Sequence, residues 1–452
     1  MSWAERDAAV VWHGFTQMAS YLENEPIVVD RAEGRELIDV DGKHYLDAIS
    51  SLWVNTLGHR VPELDAALTD QLGKVAHSTM LGNGNTVVVE LAEALAEAVP
   101  VDEPHFLFAS DGAAAVEQAL KIAFQFFTNQ GVMNRTRYLA FGGAYHGDTV
   151  GSLSLGAGGF GTDVFDPLRF PVLRAPDYAD ADCYRTAAAM VDDHGDTLAA
   201  VVLEPLVQGA AGMAMSPPDG LDELAQACAR HGVLVIADEV ATGFGRTGTL
   251  FACEQAGLSP DLLCIGKGLT GGYLPMSATV ASRRVYDAFL GEDLSERTFY
   301  HGHSYSGSAL AAAVALRHLQ LLSEWSVLDN VRARSEQLAK ALDAGVAAKP
   351  TVADVRLRGL MGGVELAPPA DDLRWGRRVC AAAVRNGVLL RPLSDVVVLM
   401  PPLTTTASEI ERIVSVLAEA IDEVTSGVSE RSERTNVKRA PGHGQPPKAA
   451  HP

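Results

Sequence analysis

Short apolar segments alternate with longer amphipathic segments between Pro62 and Leu322, and this alternation constrains the fold more than any other feature of the chain. The apolar segments predict strands at residues 105–109, 138–141, 198–203, 233–237, 262–265 and 277–281. The amphipathic segments predict helices at residues 86–98, 113–129, 221–231 and 305–322. This order predicts an α/β fold with a largely parallel sheet covered on both faces. Ligands of such sheets bind at the carboxyl ends of the strands.

The rest of the chain differs from this central region, residues 62–322, which we expect to be a large ligand-binding domain. Residues 1–61 alternate short β-prone pieces with turns, and we expect this N-terminal segment to join the small domain. Long helical stretches around strands at 388–391 and 396–400 predict a smaller α+β domain over residues 323–425. Residues 426–452 contain few apolar residues and are rich in Pro and Gly, which predicts a disordered tail.

Charge and composition exclude several classes of protein. The chain has 36 Lys and Arg against 57 Asp and Glu, a net charge of −21, which disfavours nucleic acid as a partner. No apolar run approaches the roughly 20 residues of a membrane span, and the first residues do not resemble a signal peptide. The five cysteines form no CxxC pair, so neither a disulfide framework nor a metal site is indicated. We therefore expect a cytoplasmic protein.

Two glycine motifs fit the dinucleotide pattern G-x-G-x-x-G, at residues 156–161 and 243–248. Neither opens an apolar helix directly after a strand, which the dinucleotide fold requires. A P-loop is also absent, because Asp261 stands where its first glycine would be relative to Lys267. These contexts disfavour a nucleotide-dependent dehydrogenase.

A carboxylate and a lysine end two neighbouring apolar segments. Asp238 closes one of them, and Lys267 follows the next, between two glycines. A lysine in an apolar environment favours its neutral amine, which a Schiff-base nucleophile requires, and an opposing carboxylate suits a protonated ring nitrogen. Pyridoxal phosphate needs both groups. On spacing alone, a strand-end carboxylate and a solvated lysine are an equally good interpretation.

A third element of such a site is the segment from Ser110 to Ala114, between a predicted strand and a predicted helix. The backbone N–H groups at a helix N-terminus bind phosphate well. Read alone, the segment is equally compatible with an ordinary capped helix.

Five longer motifs carry a family resemblance. They are YHGDT at 145–149, EPLVQGAAGM at 204–213, IADEVATGFGRTG at 236–248, PDLLCIGKGLTGGYLP at 260–275 and HGHSYSG at 301–307. Together they resemble class III pyridoxal-phosphate aminotransferases, over about residues 15–403. The segments at 47–60, 77–83 and 390–402 look most like the branch that aminates 8-amino-7-oxononanoate in biotin biosynthesis.

The resemblance implies a fold-type-I homodimer whose active sites are shared between subunits, with small keto and amino acids as substrates. It implies that Lys267 forms the Schiff base with pyridoxal 5'-phosphate and shuttles the proton, and that Asp238 keeps the ring nitrogen protonated. The remaining cofactor residues implied are Gly112, Ala113, Tyr145 and, from the other subunit, Ser304. The substrate residues implied are Arg391 for a carboxylate, Gly302, Tyr145, Phe15, Leu52 and Trp53.

Some positions depart from the family pattern. Ala113 stands where many members have a hydroxyl residue, so one phosphate hydrogen bond is lost or comes from Ser110. Leu52 replaces a tryptophan and Phe15 a tyrosine, and the motifs around these positions look more like a branch that uses lysine as amino donor. Core packing is an equally good interpretation of Phe15 and Trp53.

These features predict conversion of 8-amino-7-oxononanoate to 7,8-diaminononanoate, with lysine or S-adenosylmethionine as donor. The alternatives are an ω-amino acid or diamine transaminase of another pathway, and a regulatory protein that keeps the fold without catalysis.

Overall fold

The structure is a computed structural model, and it describes residues 1–158, 161–368 and 374–437, with side chains described as far as Ser426. In this part of the chain we find no helix with the length and apolar character needed to cross a bilayer.

The elements follow in chain order. The helices are α1 (Trp3–Val10), α2 (Ser50–Trp53), α3 (Pro62–Leu72), α4 (Thr86–Ala96), α5 (Gly112–Asn129), α6 (Val150–Leu155), α7 (Cys183–His194), α8 (Leu221–His231), α9 (Arg283–Asp287), α10 (Ala309–Glu324), α11 (Val327–Leu342), α12 (Trp375–Arg385) and α13 (Ala407–Val437). The strands are β1 (Val29–Glu33), β2 (Glu36–Asp39), β3 (His44–Asp47), β4 (His105–Ala109), β5 (Arg137–Phe141), β6 (Leu173–Ala175), β7 (Leu198–Leu203), β8 (Val207–Gln208), β9 (Ala214–Met215), β10 (Leu234–Asp238), β11 (Leu262–Ile265), β12 (Ser277–Ala281), β13 (Val352–Arg358), β14 (Met361–Leu366), β15 (Val388–Leu389), β16 (Arg391–Leu393) and β17 (Val396–Leu399).

The central sheet has the strand order β4-β12-β11-β10-β7-β5-β6. Its strands from β11 to β6 are parallel to their neighbours, whereas β12 pairs antiparallel with both β11 and β4. The α/β class with a largely parallel sheet is therefore confirmed. β12 reverses direction because the connection from β11 is short and contains only a 3-10 helix, Lys267–Thr270, rather than an α-helix that could carry the chain back.

Both faces of this sheet are buried, as the apolar strands predict. Alternate residues of β7 show this most directly: Ala200 and Val202 belong to the apolar cluster beneath α5, while Val201 and Leu203 belong to the cluster on the opposite face. The core therefore lies on both sides of the sheet, and its strand ends are free to build a site.

Two four-stranded sheets lie outside the central sheet, and one of them joins the N-terminal and C-terminal regions of the chain. β13, β14, β17 and β16 form an antiparallel sheet, and β15 pairs parallel with β3 beside β2 and β1. The strand predicted at 388–391 is thus divided at Leu390, and its two halves enter different sheets. Pro392 fits the second half, because β16 is an edge strand and proline lacks a backbone N–H.

Several expected boundaries differ from the structure by one or two residues, and two differ by more. The helix expected at 305–322 begins at Ala309, because Gly307 has φ +61° and a side chain there would lie 2.5 Å from Met80 Cγ. The tail expected from residue 426 begins later, since α13 continues to Val437. The segment up to Val437 contains no proline and several Glu and Arg residues, which favour helix. Residues 438–452 lie outside the described residues, and the domain boundaries stay predictions.

Candidate active site

The parallel pairing of β10 with β11 brings the two key residues to one edge of the sheet. Asp238 ends β10 opposite Cys264 of β11, and Lys267 follows β11 after Gly266. Both side chains line one cavity of about 750 Å³. Other residues predicted for the site that line it are Gly112, Ala113, Tyr145 and Trp53.

Lys267 has an unusual backbone and an unusual environment. Its φ of +42° is a strained conformation for a residue with a side chain. Gly268 follows it, and a Cβ there would lie 3.1 Å from Phe244 Cβ, so the chain is closely packed at this point. The lysine residue keeps some exposure to the cavity, yet burial of its amine lowers the pKa, against the opposing effects of Asp238 and Glu204. Its Nζ lies 5.1 Å from the centre of the Trp53 ring.

Asp238 is held by two hydrogen bonds. Its Oδ2 lies 2.7 Å from His146 Nδ1, and its Oδ1 accepts the Val240 backbone N–H at 3.1 Å. Asp238 and His146 are both buried, and no hydrogen-bond partner engages His146 Nε2 within the described part of the chain. Each carboxylate oxygen has a second lone pair, so Asp238 retains the capacity to accept a further N–H from a ligand.

A second buried carboxyl group lies beside this pair. Glu204 accepts the backbone N–H groups of Tyr145 and Gly209, each at 3.2 Å. Burial raises the pKa of Glu204 to about 7, with a smaller contribution in the same direction from Asp238 and an opposing one from His146. We did not assign roles to Glu204 or His146 from the sequence; the motifs at 204–213 and 145–149 were their only signal.

The start of α5 provides donors for an anion. Asp111 caps the helix, accepting the Ala114 N–H at 2.9 Å. Gly112 opens the first turn, and a Cβ at this position would lie 2.6 Å from Val240 Cγ1. With no side chain at Gly112 and only a methyl group at Ala113, this helix N-terminus suits the close approach of a phosphate.

Tyr145 and Arg391 lie near each other, although only Tyr145 lines the cavity. Tyr145 Oη donates to Asp148 Oδ2 at 2.9 Å, and burial raises its pKa, against a smaller opposing effect from the Arg391 charge. Arg391 is partly buried on β16. Its guanidinium takes part in no hydrogen bond or ion pair with the described side chains or backbone, which leaves it available for a ligand.

The other predicted substrate and cofactor residues do not line the cavity of their own chain. Phe15 and Leu52 are 64% and 46% exposed, and both have positive φ angles. Gly302 and Ser304 are exposed as well. The structure thus brings most of the predicted cofactor residues of one chain to one cavity and leaves these four at its surface.

Comparisons with known proteins identify the family of this chain. The Aminotransferase class-III family model matches residues 18–421. The adenosylmethionine-8-amino-7-oxononanoate aminotransferase of Nitratidesulfovibrio vulgaris is 46% identical over 465 residues, which cover 98% of this chain and 85% of that protein. The crystal structure of the protein of that name from Methanocaldococcus jannaschii has a TM-score of 0.90 at 37% identity, over 93% of this chain and 98% of its own. A thermostable omega transaminase mutant from Pseudomonas jessenii has a TM-score of 0.89 at 28% identity, over 95% and 100%. The chain belongs to the class-III aminotransferase family.

Proposed function

We propose that this aminotransferase uses pyridoxal 5'-phosphate to convert 8-amino-7-oxononanoate to 7,8-diaminononanoate. The observation that carries the proposal is the convergence of Lys267, Asp238 and the N-terminus of α5 on one cavity. The names of relatives that are 39–46% identical to this chain support this acceptor. Biotin biosynthesis is the pathway in which we place the reaction.

The residues of the cavity fit the cofactor. Lys267 would bind its aldehyde carbon, Asp238 its ring nitrogen, and the backbone N–H groups of Gly112 and Ala113 its phosphate. Tyr145 would border the ring. Gly112 packs directly against Val240, whose Cγ1 lies 2.6 Å from where a Cβ would be, so the absence of a side chain lets this helix end form part of the cavity wall.

When bound, the cofactor supplies an aldehyde that exchanges amino groups and a ring that withdraws electrons. Burial of the Lys267 amine favours its neutral form, which can attack a carbon and then move a proton at Nζ. His146 fixes the orientation of the Asp238 carboxylate through their 2.7 Å hydrogen bond. Held in this orientation, the Asp238 carboxyl group would hydrogen-bond to the ring nitrogen of the cofactor and would keep a proton there.

For the substrates, we propose that Arg391 binds a carboxylate, because a guanidinium pairs with it through two parallel hydrogen bonds. In a chain of net charge −21, an anionic substrate needs such a local cation. Trp53 supports the same pocket, since its ring is buried, lines the cavity and has an unpartnered Nε1–H among the described residues.

We further propose a homodimer with shared active sites. Gly302, Ser304, Phe15 and Leu52 are exposed and lie outside their own chain's cavity, which supports their use by a second copy. Size-exclusion chromatography with light scattering tests this: a mass near 96 kDa, twice 47.9 kDa, is expected, and a monomer that retains full activity would contradict it. A cytoplasmic location also stays a prediction; the five free, buried cysteines support a reducing compartment.

The reaction is tested with purified enzyme, 8-amino-7-oxononanoate and either lysine or S-adenosylmethionine as donor. Formation of 7,8-diaminononanoate with one donor is the expected result and identifies that donor. A yellow, cofactor-loaded enzyme that makes no product with either donor, yet transfers amino groups from ω-amino acids or diamines, would favour the alternative. The omega transaminase from Pseudomonas jessenii has a TM-score close to that of the Methanocaldococcus jannaschii structure, so we retain this alternative in the test. Its sequence identity to this chain is lower, which makes it the second candidate function.

A further inference from the structure

The segment from His301 to Ser306 is attached to the strand and helix that carry the phosphate-binding turn. Ser306 Oγ donates to the buried Phe108 carbonyl of β4 at 2.8 Å. His303 Nε2 lies 3.0 Å from Ser110 Oγ, directly after β4. Because β4 is an edge strand of the central sheet, this segment contacts it without displacing another strand.

The hydrogen bonds around His303 define which nitrogen carries its proton. The Tyr305 backbone N–H donates to His303 Nδ1 at 3.1 Å, so Nδ1 is the acceptor nitrogen. In the neutral ring the proton is then on Nε2, which donates to Ser110 Oγ. Ser110 Oγ in turn donates to Asp111 Oδ2 at 2.8 Å.

This chain of hydrogen bonds ends at the first turn of α5. Asp111 Oδ1 accepts the Ala114 N–H, while Oδ2 is held by Ser110. Ser110 therefore cannot donate its hydrogen to a phosphate while it holds Asp111. The N–H groups of Gly112 and Ala113 are left as the donors that α5 offers to an anion.

An N-cap carboxylate can bond to the second or the third helical N–H. If Asp111 were free to rotate, it would compete with the phosphate for the Ala113 N–H and would place a negative charge beside it. We propose that His303 is a positioning residue that, through Ser110, holds Asp111 on the Ala114 N–H and so keeps the Gly112 and Ala113 N–H groups free for the cofactor phosphate. This inference rests on the proposed use of pyridoxal phosphate.

The test compares His303→Asn with His303→Gln in the full-length apoprotein. The glutamine amide reaches as far as His303 Nε2 and can still donate to Ser110, whereas the asparagine amide reaches only as far as Nδ1. We expect His303→Asn to weaken the Kd for pyridoxal phosphate about three- to tenfold, the effect of one hydrogen bond, and His303→Gln to change it less than about twofold. His105→Asn, at the opposite end of β4, is the control.

Pyridoxal, which lacks the phosphate, is titrated in parallel, and its binding should be unchanged in every variant. Ser110→Ala should weaken pyridoxal phosphate binding as His303→Asn does, with no further loss in the double variant, since both residues act through the same chain of hydrogen bonds to Asp111. The inference is wrong if His303→Asn binds pyridoxal phosphate as the unmodified protein does, or if pyridoxal binding weakens equally. An unmodified apoprotein that binds no pyridoxal phosphate overturns the proposed function itself, so the two failures are distinguishable.

Discussion

Lys267 combines a positive φ angle with a buried amine, and both conditions oppose stability. We expect Lys267→Ala to lower turnover by at least about 10²–10⁴-fold, the range of general acid–base catalysis, and to prevent borohydride from fixing the cofactor to the protein. Lys74→Ala, at an exposed position, is the control. Full activity in Lys267→Ala would show that another lysine is the catalytic one.

The positive φ angle of Lys267 allows a second test, which compares the stability of two variants at this position. Glycine adopts positive φ without steric cost, whereas alanine does not. We therefore expect the Lys267→Gly apoprotein to be more stable than Lys267→Ala by about 1 kcal/mol, measured by denaturant unfolding. Equal stability of the two variants would indicate that the φ angle of +42° stores no strain.

Glu204 links stability to pH. In the folded protein its pKa is raised to about 7 from an ordinary value of 4.5, so between these values the folded state binds a proton that the unfolded chain has released. As pH rises from about 4.5 to 7, the contribution of this group to stability falls by about 3 kcal/mol, because the buried carboxylate must ionise.

Glu204→Gln removes this ionisation. The difference in Tm between the Glu204→Gln apoprotein and the unmodified apoprotein should therefore increase steadily across that pH range. The altered hydrogen bonds to Tyr145 and Gly209 would add a constant difference and would not change this trend. Glu90→Gln, on the exposed side of α4, should show no such trend. A constant Tm difference for Glu204→Gln would contradict the raised pKa.

At the level of elements, the first turn of α5 packs against Val240. Val240 has a stiff, β-branched side chain, so a methyl group at Gly112 would push it into the cavity. We expect Gly112→Ala to cost about 1–3 kcal/mol of cofactor binding and Gly112→Ala with Val240→Ala to recover most of it. Gly84→Ala, where a Cβ has open space, is the control, and a titration with pyridoxal phosphate is the measurement. Failure of the second substitution to restore binding would contradict the steric explanation.

An element could be predicted from the sequence where neighbouring residues determine it, and could not where pairing with a distant strand determines it. β4, β7, β11 and β12 begin and end where expected, because each is an apolar run bounded by turn residues. The division at Leu390 and the antiparallel direction of β12 were not predicted, since they depend on which sheet edge is free.

The same limit applies to the site. Asp238 and Lys267 could be found because strand ends at one edge of a parallel sheet meet. His303 could not, because its partner Ser110 lies 193 residues away and neither residue belongs to a periodic pattern. His146 and Glu204 are likewise single polar residues in connecting segments.

For the whole molecule, Arg246 connects three parts of the chain in the interior. Its guanidinium donates to the carbonyls of Asn55 and Pro401, each at 2.7 Å, and its own carbonyl accepts the Leu360 N–H. Burial lowers its pKa to about 9. The N-terminal segment, the central region and the C-terminal region therefore share one buried cation.

We expect Arg246→Met to destabilise the protein by about 2–5 kcal/mol, since two buried carbonyls lose their donors. Arg332→Met removes an exposed arginine that pairs with Asp329 and should change stability by less than about 1 kcal/mol. Thermal unfolding of both variants is the measurement. A similar Tm for the two would show that Arg246 does not hold these segments together.

The hydrogen bonds of Arg246 also affect how small molecules enter and leave the cavity at Lys267. Swinging the C-terminal region away from the central sheet would break the bond to Pro401 and leave the buried Arg246 cation with one carbonyl acceptor fewer. Substrates and products are therefore expected to pass through the mouth of the cavity by local movements of its rim, where the exposed residues Asp148, Thr149 and Pro275 line the cavity. In such an enzyme the size of the side chains at the rim, rather than a hinge between domains, sets which substrates are admitted.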